Sequence, residues 1–142
     1  MGCWGLKPYE NDDAADFLCG IAGRMVGDIL KALKAVKRHA DSPYRYLTAL
    51  AAIQLLATNC QPKTEPGLQG TALAEGAFAE SLRVLDLIES DQEWVTGWET
   101  KPNPWPKQLV EMRRQILNAR RRALRNEARV AKMFGFKKKR AA

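Results

Sequence analysis

Between residues 107 and 132, apolar side chains return every three or four positions, at Leu109, Met112, Ile116, Leu117, Ala123, Leu124 and Val130, and Phe134 continues the row. That spacing is the period of an α-helix and not the two-residue alternation of a half-buried strand. Pro102, Pro104 and Pro106 precede it and break whatever comes before. Arg114, Arg121, Arg122, Arg125, Arg129 and Lys132 stand opposite the apolar arc, whereas Arg113 and Arg120 interrupt it.

The rest of the chain has the same period. A helix is expected to start near residues 11–13, where Asn11 or an Asp caps it and Asp12, Asp13 and Asp16 complement the positive end of its dipole. Its apolar positions are Ala14, Phe17, Leu18, Ile21, Met25, Ile29, Leu33 and Val36, and Lys34, Lys37, Arg38 and His39 crowd its far end. Gly20, Gly23 and Gly27 each cost about 1 kcal/mol against Ala there, which implies a close helix crossing or a break. Pro43 can open a second helix over 44–58, whose uncharged, Ala-rich face makes it the central core helix. Residues 61–70 hold Pro62, Pro66, Gly67 and Gly70 and read as a loop. A third helix is expected over 73–88, and a short one holding Trp94 and Trp98 on one face.

No repeat and no strand-like alternation appears. The expectation is an all-α protein: a compact bundle of about four to five helices with an ordered N-terminal loop around Trp4 and Tyr9 and a long basic C-terminal helix. Residues 1–112 form the helical domain, and 113–142 form a basic helix and tail continuous with it.

Several classes fall away on composition. The longest apolar run, residues 47–57, is far short of the roughly 18 residues that a membrane span needs. Acidic residues arrive by Glu10, unlike a signal peptide, and Leu6 stands where a myristoylation pattern wants Ser or Thr. Cys3, Cys19 and Cys60 are odd in number and lack metal-ligand spacing, so free thiols and a cytoplasmic location are expected. The single histidine, His39, lies among basic residues at a helix end, and no Walker loop, GxSxG or HExxH is present. The chain reads as non-catalytic, with no cofactor and no metal.

Charge is unevenly spread. From residue 113 to 140 there are 12 basic residues and one acidic, Glu127, for a net +11; residues 1–112 carry 11 basic and 15 acidic, for −4. The candidate binding residues are therefore Arg114, Arg121, Arg122, Arg125, Arg129 and Lys132 on the helix, with Lys137, Lys138, Lys139 and Arg140 beyond it. Arginine forks suit phosphate oxygens. Phe134 and Phe136 extend an apolar side that also suits a protein groove or an anionic membrane surface, and a merely solvated face has the same composition.

Two further groups carry alternatives. Asp12 and Asp16, four residues apart, can share a cation or raise one another's pKa, or with Asn11 and Asp13 they can simply cap a helix and pin the loop. Trp4, Tyr9, Trp94, Trp98 and Trp105 can form a partner or ligand surface, or seal the core.

The opening Gly2-Cys3-Trp4-Gly5, followed by Pro8-Tyr9-Glu10-Asn11-Asp12-Asp13-Ala14-Ala15-Asp16-Phe17, resembles the family catalogued as domain of unknown function 4259. Similar in kind are the Ala/Leu helix at 49–57, Ser90-Asp91, Trp98-Glu99 and a helix from Pro106. The resemblance covers roughly residues 1–117 and implies no activity; the basic extension from about Asn118 lies outside it. The expected function is a helical adaptor that docks on RNA, DNA or a ribonucleoprotein through its basic helix. The alternatives are a regulator that binds protein through Trp4, Tyr9 and Trp98, or a small-molecule or metal site at the N-terminal acids.

Overall fold

The computed structural model describes residues 12–38, 43–60, 66–133 and Gly135, apart from the side chains of residues 12–15, 18, 19, 66 and 67. Among the described residues there are six helices and no strand: α1 (Asp12–Lys34), α2 (Pro43–Asn59), α3 (Pro66–Ala74), α4 (Ala77–Ser90), α5 (Gln92–Thr96) and α6 (Trp105–Met133). The protein is all-α.

α2, α3 and α4 each pack against both α1 and α6, so the two long helices are held apart by a middle layer. α2 is the most enclosed, with Tyr46, Ala49, Leu50, Ala52, Ile53, Leu56 and Ala57 all buried. It carries no charge after Arg45, and its small alanines let neighbours approach on more than one side. The core continues through Val26, Leu33, Phe78, Leu85, Ile88 and Ile116.

Several expected boundaries move, each for a local reason. α1 is unbroken through Gly20, Gly23 and Gly27, and nothing lies within 4 Å of a Cβ built at Gly23 or Gly27. These glycines lie on the solvent side, so neither the break nor the close crossing occurs. The buried row of α1 is Ala22, Val26, Ile29, Leu30 and Leu33, while Met25 is only partly covered and Phe17 is 65% exposed. α1 also stops at Lys34 instead of reaching His39, which lies outside the described residues. Its end is tightened by Val36 N–H donating to Leu33 O at 3.1 Å, and Arg83 of α4 donates to the same carbonyl at 3.1 Å.

The expected 61–70 loop gives way to helix at Pro66, the first-turn position where a missing N–H costs nothing. The single helix expected over 73–88 is two, because Gly76 turns into the left-handed region at φ 77°. Trp98 lies beyond the end of α5, not on it with Trp94. α6 starts at Trp105, whose N–H donates to Asn103 Oδ1 at 3.1 Å, and runs without a break past residues 112 and 113. None of these helices is long and apolar enough to cross a membrane, among the described residues.

Candidate nucleic-acid interface

α6 is buried at Leu109, Met112, Ile116, Ala119 and Ala123, and beyond Ala123 none of its residues is buried. The expected apolar arc is therefore too long and too wide. Leu117 and Leu124 lie one residue past Ile116 and Ala123, about 100° round the helix, and face solvent. Val130 is 50% and Met133 73% exposed. Phe134 lies outside the described residues.

From Arg113 onward the basic residues of α6 sort into three groups by what they touch. Arg113, which interrupts the apolar arc in the sequence, reaches α4: its Nη2 donates to Asp86 Oδ1 at 2.6 Å and to Glu89 Oε2 at 2.8 Å. Burial disfavours its charge, but the bonds to Glu89 and Asp86 outweigh that and raise its pKa. Arg114 is exposed and closes on Glu111 one turn back, with Nε donating to Oε2 at 2.9 Å. The Arg114 hydrogen bond lowers the pKa of Glu111, and the pair leaves little net charge on that turn.

Arg122 turns inward. Its Nη2 donates to the Cys60 carbonyl at 2.5 Å, capping the end of α2 with a cation where the helix dipole favours one. The Cys60 thiol is buried, and burial pushes its pKa up to about 11 despite the nearby Arg122 charge, so it is a poor nucleophile.

The third group is exposed: Arg120, Arg121, Arg125, Arg129 and Lys132. Among the described residues none of them has a carboxylate within ion-pair distance. Arg129 Nη2 donates to Asn126 Oδ1 at 3.0 Å, and Asn126 Nδ2 donates to the buried Gln69 Oε1 of α3 at 3.2 Å. Arg122, Arg125 and Arg129 line a polar notch of about 210 Å³ with Gln69 and Asn126. Sequence reasoning found the arginines but missed Gln69 and Asn126, since nothing in the spacing says that α3 abuts this turn of α6. Lys137, Lys138, Lys139 and Arg140 lie outside the described residues.

The aromatic candidates are sorted as well. Trp94 packs edge-on against Tyr46 and Trp98, with ring centroids 5.6 and 5.3 Å away, and lies 5.1 Å from Trp105. Trp98 is thus half-covered inside a four-ring cluster that seals one end of the bundle. The cluster is tied down by Tyr46, whose hydroxyl donates to Asp91 Oδ2 at 2.8 Å, while Asp91 Oδ1 accepts from Trp94 N–H at 3.3 Å. Trp4, Tyr9 and Asn11 lie outside the described residues. Asp12 and Asp13 are in the first turn of α1, and Asp16 is exposed one turn on. Among the described residues no three His, Cys, Asp or Glu side chains gather as a metal site would require.

The chain matches the family model for Domain of unknown function (DUF4259) over residues 2–134, and it belongs to that family. The match runs to the end of α6, so the basic helix is part of the family's domain and not an extension beyond residue 117. No curated protein and no solved structure matches the chain.

Proposed function

We propose that this family member is a non-catalytic binding protein that docks on the phosphate backbone of RNA or DNA through the outer half of α6. The observation that carries the reading is the set Arg120, Arg121, Arg125, Arg129 and Lys132, exposed and without a carboxylate partner among the described residues. Elsewhere on the helix carboxylates neutralise arginines, at Arg113 from Asp86 and Glu89 of α4 and at Arg114 from Glu111 of α6 itself. Unneutralised arginine and lysine on one helix gain from phosphate contact by releasing condensed counterions. No base-reading motif accompanies them, so binding is expected to be weakly sequence-specific. A cytoplasmic location goes with this reading.

The test compares the full-length chain with the variant Arg120→Gln, Arg121→Gln, Arg125→Gln, Arg129→Gln, Lys132→Gln on fluorescent RNA and DNA. Point substitutions are used because α6 also carries the buried Ala119 and Ala123, which a truncation within the helix would remove. Loss of binding in the variant, with its fold intact by circular dichroism, supports the reading, and unchanged binding overturns it.

A second reading has its own observation. Val110, Leu117 and Leu124 form an exposed apolar row at seven-residue spacing, with Arg120 and Arg121 beside it. Such a row fits an acidic amphipathic helix of a protein partner, and capture that depends on Leu117 and Leu124 but not on added nucleic acid would favour it.

A further inference from the structure

The notch between α3 and α6 differs from the rest of the basic face, because it has walls. Arg122, Arg125 and Arg129 are spaced three and four residues apart, which brings their side chains to one side of the helix. Like charges at that spacing repel unless an anion lies between them. Among the described residues no carboxylate lines the notch, and Gln69 and Asn126 are the other residues that line it. Two of the cations are held in place: Arg122 by the Cys60 carbonyl and Arg129 by Asn126, which is itself bonded to the buried Gln69. The Arg122 Nε–H is shielded from solvent and finds no acceptor among the described residues. Preorganised guanidinium forks match the oxygens of a phosphate in paired hydrogen bonds.

Beside the notch, and sharing Gln69 and Asn126 with it, lies an apolar recess of about 430 Å³ completed by Gly70, Ala123, Glu127, Val130 and Ala131. Gly70, Ala123 and Ala131 give it small walls, and among the described residues its carboxylate, Glu127, lines the recess and not the notch. A ligand that spans both places an anion among the arginines and an uncharged organic group against Gly70, Ala123 and Ala131.

We propose that this paired notch and recess is a binding site for a phosphate ester, with the phosphate held by Arg122, Arg125 and Arg129 and the organic group in the recess. The inference deepens the nucleic-acid reading but does not depend on it, since a free nucleotide and a terminal or unstacked residue of RNA present the same chemistry.

The experiment is an NMR titration of the full-length protein, read at the arginine Nε–H resonances and the Gly70, Ala123 and Ala131 signals. Inorganic phosphate, adenosine monophosphate and a short single-stranded RNA are added separately at constant ionic strength. The expected result is saturable shifts at Arg122, Arg125 and Arg129 with all three, larger than at Arg120 and Arg121. Adenosine monophosphate should bind at least several-fold more tightly than phosphate and also move the three recess signals. Arg125→Gln with Arg129→Gln should weaken phosphate about tenfold or more, as expected for lost charge-assisted bonds. Equal, unsaturable shifts at every arginine overturn the site, and so does a nucleotide that binds no better than phosphate. If the nucleotide saturates the notch but RNA does not bind, the site stands and the nucleic-acid reading falls. If RNA binds without moving the notch resonances, the reverse holds.

Discussion

Arg122 on α6 donates to the carbonyl oxygen of Cys60, 62 residues earlier in the chain, and so closes the end of α2 from across the bundle. Arg83 does the same for α1 through Leu33 O. The last turn of a helix leaves carbonyls without intrahelical partners; Asn59 Nδ2 donates to Leu55 O at 2.8 Å and Val36 N–H to Leu33 O at 3.1 Å, and arginines from other helices add further donors at these two ends. Arg122→Met keeps the stem but strands the carbonyl. It is expected to cost about 1–3 kcal/mol in urea unfolding, with Arg122→Lys intermediate. A loss within 0.3 kcal/mol of zero would show that the cap is idle.

The thiol beneath that cap gives a pH prediction. Its folded pKa of about 11 exceeds the ordinary value of 9.0 because burial disfavours the thiolate. A raised acid pKa means that the folded state holds the proton more tightly than the unfolded state. The contribution is complete below pH 9.0 and is lost as pH rises through about 11. Unfolding midpoints measured from pH 8 to 11 should fall more steeply for the native chain than for Cys60→Ala. At pH 8 and without urea, iodoacetamide should leave Cys60 unmodified by peptide mass mapping.

Arg113 bridges α6 to Asp86 and Glu89 on α4 in a setting that is only partly exposed, with 27% of its side chain accessible. Its coupling to Glu89 should exceed that of an ordinary surface pair and reach about 1 kcal/mol in a double-mutant cycle with Arg113→Met and Glu89→Gln. Raising the salt to 1 M should reduce it without abolishing it. Zero coupling at low salt would contradict the bridge.

The glycines separate by backbone. Gly23 is helical and exposed with open space at its Cβ position, so Gly23→Ala should stabilise the protein by about 0.5–1 kcal/mol. Gly76 has φ 77° at the α3–α4 turn, and Gly76→Ala should cost about 1–2 kcal/mol although its surroundings are equally open. Thermal melts of the two variants should move in opposite directions.

The all-α architecture, the central place of α2 and the extent of α6 were legible because they follow from period and proline position alone. The reading failed where tertiary context decided. Leu117, Leu124 and Val130 have the spacing of a buried arc, yet they are exposed, and apolar periodicity does not report how far a neighbour extends. Arg113 interrupts the apolar period because α4 brings Asp86 and Glu89 to it, a contact that no local pattern encodes. Arg122 looked like one more member of a basic face, and its bond to Cys60 depends on a helix packing that no local pattern encodes. Gln69 and Asn126 were invisible for the same reason. Trp98 carried a partner-binding expectation, but the rings of Trp94 and Trp105 already cover part of it.

If α6 meets phosphate through Arg120, Arg121, Arg125, Arg129 and Lys132, as proposed, binding must depend on salt in a defined way. For the full-length chain on single-stranded RNA, log Kobs against log salt should be linear, with a slope of about −3.5 for five phosphate contacts. Each single Gln replacement at Arg120, Arg121, Arg125, Arg129 or Lys132 should reduce the slope by about 0.7, and Lys31→Gln on α1 should leave it unchanged. A slope near zero, or one that Lys31→Gln lowers as much as Arg125→Gln does, would contradict the account.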